Sequence, residues 1–386
     1  MTWVINPTIT VAGTEYTDLT FNQVSIDYGR SKIFDTIRPG YARLDIANLT
    51  DTAYPFAVND SLVIKLKNAS NVDVTVFTGI ITDVRGSYKA SSLSDGLGVV
   101  SLTAVAPMAQ MSRIVVGKTD YPEETDAVRI SRIFTEAGVS VDVVDDAIYT
   151  LVSRPAGLTD AYTLAAKYAM SVLGSIYETT DGKVGFANES RRRAEAELNG
   201  FTSIPNSSII INSIFSNENI ADVMNLANVS YSGGTASDFD LASQGTYGLI
   251  GATFNTELKN FADAEAIAAT YINLRSMPRK SLSTFSVRLL DPTLSNTALN
   301  KLLGVYFGLP ITITGLPNSI VPGAYEGYVE GWNLSFSPAN ATVTLKTSEQ
   351  AYSYRDLRWQ DPSPTLQWQN ANPLATWDNL DAVGLS

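Results

Sequence analysis

Two stretches of this chain limit what it can fold into. Residues 325–350, YEGYVEGWNLSFSPANATVTLKTSEQ, read as a strand, a tight turn and a second strand, with no reactive side chain. Residues 77–107, FTGIITDVRGSYKASSLSDGLGVVSLTAVAP, read as an earlier hairpin of the same kind. Aligning Phe77-Thr78-Gly79-Ile80-Ile81 with Tyr325-Glu326-Gly327-Tyr328-Val329 gives one aromatic-x-Gly-x-aliphatic opening twice. In the late copy the strand period puts Trp332, Leu334 and Phe336 on one face, with Val343 and Leu345 opposite and SPAN, residues 337–340, as the turn. Packing such a face stabilises by roughly 1.5–3 kcal/mol per large side chain. In the early copy the same period puts Ile80, Thr82 and Val84 on one face and Phe77, Gly79, Ile81 and Asp83 on the other. Chance similarity between two antiparallel hairpins is the plain alternative to an internal duplication.

The rest of the chain sorts into blocks. Residues 1–118 read as β throughout: VSIDYGRS, GYARLDIANLT, SLVIKLKN, VTVFTGIITDV and GVVSLTAVAP are short runs separated by Asn, Asp, Gly and Pro turn chemistry. Leu44 and Ile46 alternate there with Arg43 and Asp45. Residues 119–200 change texture. Ile130, Ile133, Phe134 and Ala137 fall at helical spacing between a Thr125 or Asp126 cap and Gly138. A second helix over about 159–173 has Ala161, Leu164, Ala165, Tyr168 and Val172 as its stripe. A hairpin follows, turned by Asp181-Gly182. Residues 201–350 return to β. Expected there are strands at SIIINSIFS, VMNLANVSYSGG, STFSVRLLD and LPITITGLP, a long loop or lid at SDFDLASQGTYGLIG, and one helix marked by Ile267, Tyr271 and Leu274 and halted by Pro278. Residues 351–386 place Trp359, Trp368 and Trp377 nine apart among Pro362, Pro364 and Pro373. That spacing implies an extended arm whose rings dock on a neighbouring subunit, on the chain itself, or on a sugar.

Composition then removes chemistries. With no Cys and no His among 386 residues, disulfides, thiolates, Ser-His-Asp and Cys-His catalysis are excluded. Carboxylates remain: Asp142, Asp145 and Asp146 in VDVVDD, and Asp120, Glu123, Glu124 and Asp126 in DYPEETD. A glycosidase would need two of them flanking one bond, but both clusters sit at loop and helix-start positions, where acids answer the helix dipole. SDGLG and TDGKVG are too short for a calcium loop, and no phosphate loop or metal cluster is found, so no catalytic, cofactor or metal residue is expected. The basic run Arg191, Arg192 and Arg193 reads as a solvated or ion-paired edge, or as a contact for an acidic partner. The net charge of −12 argues against specific nucleic-acid binding. The first residues lack a basic region followed by an apolar core, so no secretion signal is expected, and no apolar run suffices for a membrane-spanning segment.

The order GYARLDIANL, FTGIITDV, VSLTAVAPMAQM, then DAVRISRIFTEAG, YTLAAKYAMSVLGSIYETTDGKVGF, YVEGWNLSF and ATVTLKTS resembles hub-type minor tail proteins of long-tailed bacteriophages, which are similar to baseplate hubs of contractile tails. The resemblance runs over roughly residues 20–350 and rests on the order of the motifs. It implies a mainly β chain with an α+β insertion: two tube-type β-barrels (1–118 and 201–350) separated by a small α+β domain (119–200), with 351–386 as an added arm outside the family pattern. It further implies a non-enzymatic homotrimer at the virion tail tip whose six barrel units form a quasi-sixfold ring. Such a hub adapts a hexameric tail tube or distal ring protein to a trimeric fibre or spike, and passes DNA or the tape-measure protein. A glycan-binding tail protein using the three Trp residues, and a cell-wall hydrolase using paired carboxylates, are the alternatives.

Overall fold

The computed structural model describes residues 3–16, 19–48, 55–88, 98–279, 281–321 and 324–350. The three arm tryptophans, Trp359, Trp368 and Trp377, therefore lie outside the described residues.

The chain is mainly β. Its largest sheet has 13 strands, numbered here in chain order: β1 Pro7–Val11, β2 Thr14–Tyr16, β3 Phe21–Gly29, β4 Arg38–Asn48, β5 Ser61–Lys67, β6 Asp73–Tyr88, β7 Gly98–Val105, β8 Thr202–Pro205, β9 Phe215–Asn217, β10 Ser281–Arg288, β11 Pro310–Thr314, β12 Tyr325–Ser337 and β13 Asn340–Glu349. Their order is β9-β10-β13-β12-β3-β4-β7-β6-β5-β1-β2, with β11 branching from β12 and β8 from β11. Among the described residues no sheet closes on itself.

The late hairpin forms with its expected faces: Trp332, Leu334, Phe336, Val343 and Leu345 are all buried, and Ser337 pairs with Asn340 at the turn. The early hairpin departs from strict alternation. A bulge between Ile81 and Asp83 leaves Thr82 unopposed and shifts the side-chain period by one. Val84, expected opposite Phe77 and Ile81, thereby packs against the same core as they do.

The two hairpins share more than their openings. β12 has a bulge between Val329 and Gly331, at the position aligned with the bulge of β6. Register agrees on both flanks: Ile80 faces Ser61 and Val105, as Tyr328 faces Pro310 and Ser348. Ile81 donates its N–H to Asp60 O and accepts from Asn59 N–H, at 2.9 and 2.8 Å. Val329 does the same with Leu309 and Gly308, at 3.0 and 2.8 Å. Asn59 and Gly308 hold the same left-handed turn, with φ of +78° and +86°. Leu102 faces Leu44, as Leu345 faces Phe285. Thus β4-β5-β6-β7 and β10-β11-β12-β13 are two copies of one four-strand unit. Outside it they diverge: β1 runs antiparallel to β5, whereas β8 runs parallel to β11.

Two apolar cores result. One is built from both four-strand units and includes Ile26, Leu44, Phe77, Leu102, Phe285, Trp332 and Leu345. The other surrounds the helices α1 Asp126–Ala137, α2 Ala161–Ser171 and the later helix Phe261–Arg275. The first helix ends as its sequence predicts, on Gly138 at φ +64°, and the second is capped by Asp160, which accepts from Thr163 N–H. Residues 224–272, grouped by sequence with the C-terminal strands, contribute Met224, Ala227, Val229, Ile267 and Tyr271 to this second core. The expected loop at SDFDLASQGTYGLIG is instead strand Gly234–Phe239, helix Leu241–Tyr247 and strand Gly251–Phe254. Asp240 caps that helix by accepting from Ser243 N–H, and Asn225 ties the strand ends to it. Of SIIINSIFS only its end is strand: a 3-10 turn covers Asn206–Ser208, and Ile211 stays largely exposed.

Candidate functional site

The two units meet along one strand pair. Residues 331–336 of β12 lie antiparallel to β3, with Trp332 opposite Tyr28, Leu334 opposite Ile26 and Phe336 opposite Val24. Tyr28 and Trp332 stack with centroids 5.0 Å apart. On the other face Asn333 donates to Ser25 Oγ (3.2 Å), Gln23 to Ser335 Oγ (3.3 Å) and Lys346 to Asp27 (3.3 Å). This joint turns two copies of a hairpin unit into a single sheet.

At one end of the joint the bulge residue Glu330 is fully buried. Its carboxylate accepts from Arg30 Nε at 2.7 Å, from Arg192 Nε and Nη2 at 2.9 Å each, and from Ser348 Oγ at 2.7 Å. Burial alone would push this carboxyl up; the Arg192 and Arg30 guanidiniums overcome it and hold it down at about 2. Arg30 also donates to Asp35 O and to Ser175 Oγ. Arg192 comes from the helix Arg191–Asn199, numbered α3 here. Both guanidiniums pack over the Phe307 ring at 5.3 Å. One carboxylate thus pins three parts of the chain: β12, the end of β3 and α3. Sequence reasoning missed it. The available signal was a single acid inside the apolar run YVEGW, at the point where the core positions switch from odd to even numbers.

A second carboxylate joins the helical core to the N-terminal unit. Glu178 ends the strand Ser175–Glu178 and accepts from Gly40 N–H at 2.7 Å and from Met108 N–H. Burial pushes its carboxyl up to about 7 against the pull of these two amides.

Six of the seven acids weighed for catalysis have structural side-chain partners; of Asp146 only the backbone carbonyl is bonded, accepting from Asn188. Glu124 accepts from Arg129 at 2.6 Å and from Arg132 at 2.6 Å. Asp126 is buried on Ala127 and Ile148 N–H, Asp145 accepts from Arg191 and Asn188 N–H, Asp142 from Tyr177, and Asp120 from Ala156 N–H, while Glu123 pairs with Lys259. Of the basic run, Arg191 and Arg193 form the expected ion pairs, to Asp145 and Glu197, but Arg192 is buried at the joint. Beside the joint lies a cleft of about 550 Å³ lined by Arg30, Phe34, Arg192, Arg193, Tyr271 and Arg275. Among the described residues no cluster of three or more acidic side chains could hold a metal, and no helix is long and apolar enough to cross a membrane.

No protein-family model and no curated protein matches this sequence. Solved structures do. The chain is similar to a 43 kDa tail protein of prophage MuSo2 from Shewanella oneidensis, at 12% identity and TM-score 0.64, over 90% of this chain and 99% of that one. It is similar to a tail protein from Neisseria meningitidis MC58, at 13% identity and TM-score 0.63, over 91% and 98%. A prophage tail protein from Listeria monocytogenes EGD-e matches at 10% identity and TM-score 0.51, over 89% and 95%. The chain has the fold of these phage tail proteins.

Proposed function

We propose that this chain, folded as those tail proteins are, is a structural component of a phage tail and serves as its hub at the tail tip. The observation that carries the reading is the duplicated four-strand unit, repeated in register down to the bulge and joined into one sheet by β12 and β3. A chain with two equivalent units offers twice the symmetry of its own oligomer. Three copies present six units to a hexameric tail tube or distal ring protein, and a threefold face to a fibre or spike. Each unit then acts as a tube-type barrel module, one drawn from residues 1–118 and one from the strands of 201–350, with the helical core between them as the smaller domain. The net charge of −12 suits a conduit that passes DNA or the tape-measure protein without binding it. The role is non-enzymatic, a reading supported by the structural bonds that engage Glu124, Asp126 and Asp145 among the acids considered for hydrolysis.

Sedimentation of the purified full chain tests this. A trimer, three times 41.6 kDa, seen by electron microscopy as a ring with an open bore, is the expected result. A monomer at all accessible concentrations overturns the reading.

A further inference from the structure

Among the described residues, the joint between the units has a matching place that is unfilled. In the C-terminal unit the outer edge of β12 carries two neighbours: β11 beside residues 325–328 and β3 beside residues 331–336. In the N-terminal unit the matching outer edge of β6 carries β5 beside residues 73–80, and among the described residues nothing pairs beyond it. Arg85, Gly86 and Ser87 on that stretch are exposed. The strand matching β3 in the other unit is β9, which lies antiparallel to β10 where β3 lies beside β4, with a bulge at Ser283 between the partners of Phe215 and Ser216, and among the described residues it ends the sheet with its far edge unpaired. Among the described residues each chain therefore has one filled joint, one unpaired acceptor edge and one donor strand with an unpaired edge.

The donor strand is also apolar where it faces solvent. Phe215 is 59% exposed, and Ile211 and Ile220, four residues before and five after it in the chain, are 83% and 57% exposed. A short open edge with exposed aromatic and aliphatic side chains invites strand addition.

We infer that β9 of a second copy of this chain pairs antiparallel with residues 85–87 of β6, repeating between chains the joint that β3 and β12 make within one. The inference rests on the hub reading above and names the contact that would build its ring. Anchored at Phe215, which faces Thr284 as Ser25 faces Arg43, the β3·β12 register places Phe215 opposite Ser87, because Ser25 faces Ser335, and Asn217 two residues on opposite Arg85. Donor and acceptor lie on different surfaces of one chain, so the contact is head-to-tail and propagates until it closes a ring.

The absence of cysteine makes a direct test clean. Directly opposed residues have Cβ atoms about 4.5–5.5 Å apart, near enough for a disulfide after small adjustment. The full chain carrying Ser87→Cys and Phe215→Cys is expected to run, after oxidation, as a covalent trimer that reductant dissolves. A mixture of the two single variants is expected to give a hetero-dimer that neither gives alone at matched concentration. Hydrogen exchange on the unmodified chain supplies a second readout: amides of residues 85–87 should become at least tenfold better protected as the protein is concentrated through its association range. A trimer by sedimentation with neither cross-link nor concentration-dependent protection overturns this inference and leaves the hub reading standing. Protection that ignores dilution also overturns it, since residues of the same chain then cover the edge. A monomer throughout overturns both.

Discussion

In the N-terminal unit the residue set aside by the bulge is Thr82, whose hydroxyl donates to Thr103 O at 3.2 Å. In the C-terminal unit it is Glu330, buried among Arg30, Arg192 and Ser348. The backbone does the same thing in both places: it inserts one residue, moves the core positions from odd to even and turns the strand. Only the displaced side chain differs. A hydroxyl satisfied within its own hairpin leaves that unit self-contained. A buried carboxylate is costly unless it is paired or hydrogen-bonded, and here its cationic partners come from two other parts of the chain. Among the described residues, one repeated backbone device thus accompanies an unpaired edge in one copy and an anchored joint in the other.

Removing each displaced side chain breaks the comparison most directly. Glu330→Ala leaves two buried guanidiniums without their shared carboxylate, and the expected loss is about 3–5 kcal/mol. Thr82→Ala removes one neutral hydrogen bond, worth about 1 kcal/mol. Denaturant midpoints measured side by side report both, and equal losses would mean that the anchored joint is no different from the free edge. The pH dependence carries a sign. The Glu330 carboxyl lies at about 2 in the folded chain, below its ordinary 4.5, so its stabilisation is present above about pH 4.5 and is lost as the pH falls towards 2.

Glu178 should behave in the opposite way, which sharpens the contrast between the two junctions. Its carboxyl is raised from 4.5 to about 7, so the folded chain holds that proton more tightly than the unfolded one does. The junction between the helical core and the N-terminal unit is therefore fully stable below about pH 4.5. It weakens by about 3 kcal/mol as the pH rises through 7. Stability measured from pH 4.5 to 7.5 should lose that component in Glu178→Gln, whose side chain stays neutral at every pH. An unchanged slope in the variant would mean that Glu178 is not the group responsible.

The sequence made the repeated unit legible because aromatic, glycine and aliphatic residues at strand spacing survive in both copies. Helix ends were legible through Gly138 and Pro278, whose backbone limits act locally. The bulges were not, since an inserted residue is silent unless the parity of core positions is followed across it, from Ile81 to Val84 and from Val329 to Trp332. The joint was less legible still. Arg192 sat in a run of three arginines that reads as surface, and Glu330 was a lone acid to which the sequence reading gave no role. Pairing over 138 residues along the chain is a tertiary fact that neither residue signals alone. Strand texture also says nothing about which core a strand joins, so the packing of Met224, Val229 and Ile267 into the helical core was not legible.

The smallest effects concern the glycines of the repeated opening, and they test whether the two copies are equivalent as well as similar. A Cβ on Gly79 would lie 2.3 Å from Val105 O and 2.7 Å from the Phe77 ring. A Cβ on Gly327 would lie 2.5 Å from Ser348 O and 2.5 Å from the Tyr325 hydroxyl. In each copy the aromatic ring two residues earlier folds back over the glycine while the neighbouring strand's carbonyl closes from the side. That is why the motif needs an aromatic and a glycine at this spacing. Because backbone is among the clashing atoms, relief requires the strands to separate. Gly79→Ala and Gly327→Ala should each cost about 1–3 kcal/mol, the range for overpacking a tight site. Matched losses in thermal or denaturant unfolding are the expected outcome. A tolerated alanine at one position and not the other would mean that the two openings are alike in sequence but held apart differently, and would confine the equivalence of the units to the strands beyond the bulge.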